Sequence, residues 1–243
     1  EPSPATYQIR NSFRSYNYIT SAYIPTRVDF TSPSMSPSVV APGSNTSALS
    51  NLLECSIGGN ESYYGLTESV DHHREVYIKM DMKFGTDFDF GQGQKILRVI
   101  SFNSTSGVNN WDFVVSITSN GSQLGTNNSY QITAGRNGGS TWAIYDKIFT
   151  RQQWYNFSYQ YTLNSAQGVA DGTFKMWLDD VLIMNVTNLD LVSVTTWNNN
   201  INKILWGGWY SNAANGNPYP DPYPNPATLQ IKNAYHSQYP IVL

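Results

Sequence analysis

The chain has little charge and almost no cysteine, and each shortage excludes a class of protein. Lysine, arginine, aspartate and glutamate make up only 13% of the 243 residues, and the formal net charge is −3. Nucleic-acid-binding proteins usually carry a basic field, so this balance argues against nucleic acid as a partner. The single cysteine, Cys55, excludes an intrachain disulfide. Its apolar neighbours predict a small buried side chain rather than a nucleophile.

Long apolar runs and an initial methionine are also missing. No run is long enough to span a bilayer, so we expect no membrane-spanning segment. The chain starts at Glu1, which a processed N-terminus would explain. Seven Asn-X-Ser/Thr sequons offer acceptors for N-glycans, at Asn45, Asn60, Asn103, Asn120, Asn127, Asn156 and Asn185. Together these features predict an extracellular or cell-surface glycoprotein.

What the chain does have is a series of short segments in which apolar and polar residues alternate. In residues 76–84, for example, Val76, Ile78 and Met80 point one way while Tyr77 and Lys79 point the other. This period of two is typical of a half-buried strand. Further strands are predicted over residues 95–102, 111–118, 129–133, 141–149, 153–162, 202–210 and 227–235. No stretch has a convincing helical period. The pattern predicts an all-β protein, an antiparallel jelly-roll β-sandwich of two sheets.

A hairpin is predicted around Asp179-Asp180. If these two residues form the turn, Phe174, Met176 and Leu178 share the core face, and Leu178 faces Val181. The same register places Met176 opposite Ile183, and Phe174 opposite Asn185. The other face carries Thr173, Lys175, Trp177, Leu182 and Met184, a mixture that suits a second packed layer or the wall of a groove.

Residues 1–48 form a Pro/Ser/Thr-rich arm ahead of a predicted jelly-roll domain over residues 49–243. The prolines exclude a long helix and confine strands there to short or edge pieces. Two alternatives are open for this arm: it packs on its own sandwich, which we favour, or it lends a strand to a neighbouring subunit and so drives self-assembly.

Arg98 is the most informative charged residue, because strict alternation gives it the same face as Ile96, Ile100 and Phe102. An unpaired buried charge is too costly, so this guanidinium must be paired or open onto a water-filled cleft. A bridge to a core carboxylate and contact with a ligand are equally good interpretations.

Several segments in order resemble the concanavalin A-like jelly rolls of polysaccharide lyases, the alginate and glucuronan lyase type. They cover about residues 70–243 by pattern rather than identity. The segments are Val76 to Phe84, Lys95 after its glycine-rich turn, Trp154, Leu163-Asn164, Asp171 to Asp179, Trp206-Gly207-Gly208 and Leu229 to Tyr235. The turn before Lys95 departs from the lyase pattern, in which a plain glycine pair precedes Lys-Leu-Pro.

The resemblance implies an acidic polysaccharide as partner and its cleavage by β-elimination. Such a reaction needs a base, a group that neutralises the uronate carboxylate, and an acid for the leaving oxygen. Lys95 is the implied base, Arg98 the neutralising cation, and Tyr145 or Tyr210 the acid, although we favour a core or rim aromatic with its hydroxyl at the surface as the interpretation of each tyrosine. Sugar contacts are predicted for Trp142, Lys175, Trp177, Trp206 and Trp209. The indole rings can stack on sugars, although large aromatics are more often core than platform.

Other functions are open as well. The same sandwich serves lectin-like binders, and it serves non-catalytic surface glycoproteins or fibre subunits. No cofactor and no metal ligand set is predicted. The loop Asp87-Phe88-Asp89 hints at calcium, but Arg98 stands where an EF-hand needs its bidentate glutamate, so only a structural calcium elsewhere stays open.

Overall fold

A computed structural model of the chain describes residues 26–32, 35–37, 45–57, 61–86, 94–103, 108–119, 129–136, 141–166, 168–191, 200–211 and 227–239. These residues form strands and turns and contain no helix. The strands are β1 (Thr26–Arg27), β2 (Met35–Pro37), β3 (Asn45–Leu49), β4 (Leu52–Ile57), β5 (Glu61–His73), β6 (Glu75–Phe84), β7 (Gln94–Asn103), β8 (Val108–Ser119), β9 (Ser129–Arg136), β10 (Thr141–Ile148), β11 (Trp154–Thr162), β12 (Gly172–Leu178), β13 (Val181–Leu189), β14 (Ile201–Ser211) and β15 (Ala227–Ser237).

The described strands form two antiparallel sheets. Sheet A has the order β13-β12-β11-β6-β15-β4-β3, with β1 also paired to β15. Sheet B has the order β10-β9-β8-β7-β14-β5-β2. Neighbours in each sheet are often distant in the chain, as in β6 beside β15, which is typical of a sandwich with crossing connections. The predicted all-β, two-sheet jelly-roll sandwich is confirmed.

The core lies between the two sheets and is rich in aromatic side chains. In β6 the predicted alternation is confirmed, since Val76, Ile78, Met80, Met82 and Phe84 are at most 1% exposed. In β11 the rings of Tyr155, Phe157, Tyr159 and Tyr161 all point inwards. Cys55 is buried in the same core, as predicted. Burial of this many large apolar groups supplies the main driving force for folding.

The hairpin of β12 and β13 turns at Asp179 and Asp180, as predicted. Both have positive φ, 51° and 64°, the backbone of a type I′ turn, which aspartate tolerates better than most residues. The predicted register is right only next to the turn, where Leu178 pairs with Val181. A bulge then shifts it, so Met176 pairs with Met184, Phe174 pairs with Val186, and Asn185 is exposed.

The described parts of the N-terminal arm pair within the same chain. β1 pairs with β15, β2 with β5, and β3 forms a hairpin with β4. After β1, Val28 and Phe30 are 2% exposed and join the core. The predicted domain boundary at residue 48 cuts through β3, so these segments are integral strands of the sandwich.

Candidate functional site

The two cations singled out in the sequence, Lys95 and Arg98, lie on the same side of sheet B. Strict alternation would put residues three apart on opposite sides of a strand. A bulge changes this: Lys95 pairs with Ser116, but Leu97 already pairs with Val115, so Ile96 is an extra residue in β7. Leu97 and Ile96 belong to the core, and Lys95 and Arg98 both face outwards. Arg98 therefore does not share a face with Ile96, contrary to the prediction.

The outer side of sheet B around Arg98 is sheltered. Arg98 is 9% exposed, and its face neighbours Ile100 and Leu205 are 6% and 2% exposed, although none of the three belongs to the inter-sheet core. Arg98 is flanked by Val114 of β8 and Leu205 of β14. Its environment is thus an apolar, partly covered part of the outer face, where a charge interacts more strongly than in open water.

A third cation, Lys203 of β14, lies on this same side. It pairs with Ile100 of β7 and Ser69 of β5, while the next residue, Ile204, points into the core. Burial lowers the pKa of Lys203 from its ordinary value, because an apolar setting disfavours the charged ammonium. We call Lys95, Arg98 and Lys203 the basic patch. Sequence analysis missed Lys203, although its alternation with Leu205 in the predicted strand was a usable signal.

Tyr210 and Trp209 belong to the strand beside Lys95. Trp209 pairs with Lys95, and Tyr210 pairs with Gln94. Their backbones are therefore adjacent to the basic patch, while their side chains lie outside the described residues. The predicted glycine pair, Gly207-Gly208, sits where the register between β14 and β7 shifts.

Three other predicted site residues point inwards, which corrects their assignment. Trp206 is fully buried, and its indole N–H donates a hydrogen bond of 2.8 Å to the carboxylate of Glu68. Its ring therefore cannot stack on a sugar. Trp142 and Tyr145 of β10 pack against the core, and Trp142 contacts Phe113 with ring centroids 5.1 Å apart. Tyr145 is thus a half-buried core aromatic, not an acid facing Lys95.

Lys175 and Trp177 lie on the outer side of sheet A, across the sandwich from the basic patch. Lys175 pairs with Gln160 and Asn185, and Trp177 pairs with Ser158 and Leu182. Phe174, Met176 and Leu178, which alternate with them in β12, enter the core, so these two side chains face away from it. They cannot line one groove together with Lys95 and Arg98.

The outer side of sheet A carries its own network of polar contacts. Both oxygens of Asp81 accept hydrogen bonds: the side-chain amides of Asn156 and Asn233 each donate one, with a donor–acceptor distance of 2.7 Å. The ammonium groups of Lys83 and Lys232 lie 5.0 and 4.0 Å from the ring centre of Trp154. Polar side chains that satisfy one another in this way are typical of a solvated face.

Two of the seven sequon asparagines have described side chains. Asn156 is partly buried and its amide is engaged by Asp81, whereas Asn185 is exposed on β13. Asn45 and Asn103 lie in β3 and β7, but their side chains are outside the described residues, as are Asn60, Asn120 and Asn127 altogether.

Among the described residues, no group of three or more His, Cys, Asp or Glu could hold a metal ion. The Asp87–Asp89 loop lies outside those residues. The described part of the chain also has no helix with the length and apolarity needed to cross a bilayer.

The fold is similar to that of several solved structures. An endo-β-1,4-glucuronan lyase from the fungus Trichoderma reesei aligns over 93% of this chain and 89% of its own, at 13% identity and a TM-score of 0.53. Alginate lyase Aly36B aligns over 90% and 98%, at 12% identity and a TM-score of 0.57. Cip1, a cellulose-induced protein, aligns over 90% and 99%, at 13% identity and a TM-score of 0.55.

The chain therefore has the concanavalin A-like jelly-roll fold, the fold of these polysaccharide lyases, and the resemblance predicted from the sequence is confirmed at that level. No protein-family model matches the chain, and no curated protein matches it by sequence. At 12 or 13% identity the likeness to these structures concerns the fold alone.

Proposed function

We propose that this protein is an extracellular polysaccharide lyase that cleaves an acidic polysaccharide by β-elimination at the basic patch. What supports this function most is the shared outward face of Lys95 and Arg98 in β7, brought about by the bulge at Ile96. Two cations on one sheltered face of a lyase-like sandwich suit a polymer that carries a carboxylate on each sugar.

Each step of the reaction has a candidate group. Arg98 pairs with the uronate carboxylate and stabilises the negative charge that develops when the neighbouring carbon loses its proton. Lys95, as the neutral amine, takes that proton. The electron pair forms the new C4–C5 double bond, the bond from C4 to the glycosidic oxygen breaks, and an acid protonates the leaving oxygen. Of the two predicted acids, Tyr145 faces the core, which leaves Tyr210 of the neighbouring strand β14 as the candidate.

The test is an assay on glucuronan, alginate and a neutral glucan that follows the ultraviolet absorbance of the unsaturated ends. We expect absorbance to rise with at least one polyuronate and not with the glucan. Lys95→Ala should lower the rate by at least about a hundredfold, within the range of general-base catalysis. Lys175→Ala, the same change on the opposite outer face, is the control and should retain the wild-type rate. No product from any polyuronate would refute the lyase function, and an unchanged rate in Lys95→Ala would remove that residue as the base.

Binding without cleavage is the second candidate function. Arg98 and its apolar neighbours can hold an anionic sugar whether or not a base acts on it, so a lectin-like protein would use the same face. Calorimetric titration with uronate oligomers distinguishes the two: heat of binding without unsaturated product would favour the binder.

An extracellular location and N-glycosylation belong to the same proposal. Asn185 supports them, because it is exposed within the sequon Asn185-Val186-Thr187. Asn156 is a poorer acceptor, since its amide is held by Asp81 in the middle of sheet A. After secretion from a eukaryotic host, Asn185→Gln should carry one glycan fewer than the wild type. The readout is the change in gel mobility on endoglycosidase treatment, which should be smaller for the variant by one glycan. An unchanged glycan count would refute occupancy of Asn185.

The described parts of the arm pair with strands of their own chain, which supports a self-contained sandwich over a lent strand. Size-exclusion chromatography with light scattering tests this: a monomer is expected, and a filament or stable oligomer that dissociates when the arm is deleted would favour the fibre-subunit alternative.

A further inference from the structure

Lys203 and Arg98 are diagonal neighbours on two hydrogen-bonded strands. Arg98 pairs with Leu205, and Lys203 lies two residues before Leu205 on the same outward face of β14. Diagonal positions on adjacent strands are roughly 7–8 Å apart, which long side chains can bridge. The ammonium and the guanidinium can therefore approach a single anion or two neighbouring anions on one polymer.

The surroundings of this pair suit an anion on a sugar. Ile100 and Leu205 form apolar walls that are almost fully buried, and they reduce screening of the charges by water. On the far side of Lys203, Ser69 and Thr67 of β5 add hydroxyl groups to the same face. The guanidinium of Arg98 offers a fork of N–H donors, and the ammonium of Lys203 offers a compact charge. Together with the hydroxyl groups of β5, they match a carboxylate and the neighbouring hydroxyls of a sugar.

We propose that Lys203 is a second anion-binding residue of the basic patch and selects carboxylate-bearing sugars together with Arg98. This inference rests on the proposed function, because it concerns the same face and the same class of polymer. Lys203 acts here as a positioning cation: it holds the polymer through a charge and takes no part in proton transfer. Burial lowers the pKa of Lys203, so this residue loses its charge at a lower pH than an ordinary lysine does. Its attraction for the anionic polymer therefore weakens at that lower pH.

The experiment compares Lys203→Gln and Lys203→Arg with the wild type on the polyuronate that gives product. Removing a charge that binds substrate and transition state alike raises KM and leaves kcat unchanged. We expect Lys203→Gln to raise KM about tenfold with kcat within about twofold, and Lys203→Arg, which keeps the charge, to restore most of the affinity. In the wild type, KM should rise with pH as Lys203 deprotonates, and Lys203→Arg should abolish that rise, since arginine keeps its charge. Lys175→Gln serves as the charge-matched control on the other face.

Binding is measured separately in the Lys95→Ala background, by calorimetry with a uronate oligomer at two salt concentrations. Adding Lys203→Gln should weaken binding about tenfold and make it less dependent on salt. Equal KM and Kd values for Lys203→Gln and its parent would overturn the inference, and so would a large loss of kcat that arginine does not restore. These outcomes are distinct from failure of the proposed function, in which the wild type itself gives no unsaturated product. Should the wild type bind without cleaving, the calorimetric comparison still tests Lys203.

Discussion

Replacing Glu68 should cost more stability than any single surface change, because its carboxylate joins the two sheets from inside. Glu68 of β5 is 7% exposed, and each of its oxygens has a partner. One accepts the indole N–H of Trp206 at 2.8 Å, and the other lies 3.3 Å from Nε2 of His236 in β15. Trp206 belongs to sheet B and His236 to sheet A, so one side chain links three strands in two layers.

The expected loss in the free energy of unfolding follows from the hydrogen bonds that Glu68→Ala removes and the buried donor that it leaves without an acceptor. A hydrogen bond to a charged group contributes about 1.5–3 kcal/mol, and a buried donor without an acceptor costs about 1–3 kcal/mol. Trp206 is 0% exposed, so water cannot readily replace the lost oxygen. We expect the free energy of unfolding to fall by about 3 kcal/mol in Glu68→Ala. Glu68→Gln keeps a carbonyl oxygen for the indole, and we expect a loss of only about 1 kcal/mol.

Urea unfolding at pH 7, followed by tryptophan fluorescence, measures these differences. A double-mutant cycle with Trp206→Phe isolates the indole–carboxylate contact and should give a coupling energy of about 1–2 kcal/mol. Glu54→Ala is the control, because Glu54 accepts a hydrogen bond from Gln230 without this depth of burial. The reasoning fails if Glu68→Ala changes stability by less than about 0.5 kcal/mol or if the cycle gives no coupling.

Three further substitutions test the packing. Gly65→Ala should lower stability by about 3 kcal/mol or more, since φ is 104° and the new Cβ would lie 1.9 Å from the carbonyl oxygen of Trp206. Gly168→Ala, at φ 73° with no described atom within 4 Å of its Cβ, should cost only about 1 kcal/mol when both variants are compared by thermal unfolding. Tyr159→Phe should add about 1 kcal/mol at pH 7, because the buried hydroxyl has no hydrogen-bond partner among the described residues.

Tyr159→Phe should also flatten the alkaline loss of stability: burial and the nearby Tyr161 raise the pKa of Tyr159, so the unfolded chain releases that proton first as pH rises above about 10. Equal melting points for the two glycine variants, or a Tyr159→Phe variant less stable than the wild type, would contradict these expectations.

The sequence predicted which segments form the strands of the two sheets better than it predicted which side of a strand each residue faces. Alternation in β6 identified the core side of this strand, because it runs without interruption and a period of two is then sufficient. Aspartate at positions 179 and 180 likewise predicted the turn. Beyond the turn, two bulges shifted the register between β12 and β13, and no composition signal marks their positions.

The candidate site shows the same limit. Lys95 and Arg98 share a face only because of the extra residue in β7, which the sequence does not reveal. The tryptophans were assigned by residue type, and an indole serves equally well as core or as sugar platform. Trp206 and Trp142 proved to be core, and Trp177 lies on the opposite outer face. Only the pairing of strands in three dimensions separates these cases.

The central position of β15 has a consequence for synthesis of the protein. This strand, near the carboxyl end of the described residues, fills the gap between β6 and β4, and it contributes Leu229 and Ile231 to the interior. A nascent chain that has not yet emerged past residue 237 therefore presents two open strand edges above an incomplete apolar layer. Such edges favour aggregation, so we expect truncation before Ala227 to yield insoluble protein rather than a smaller sandwich.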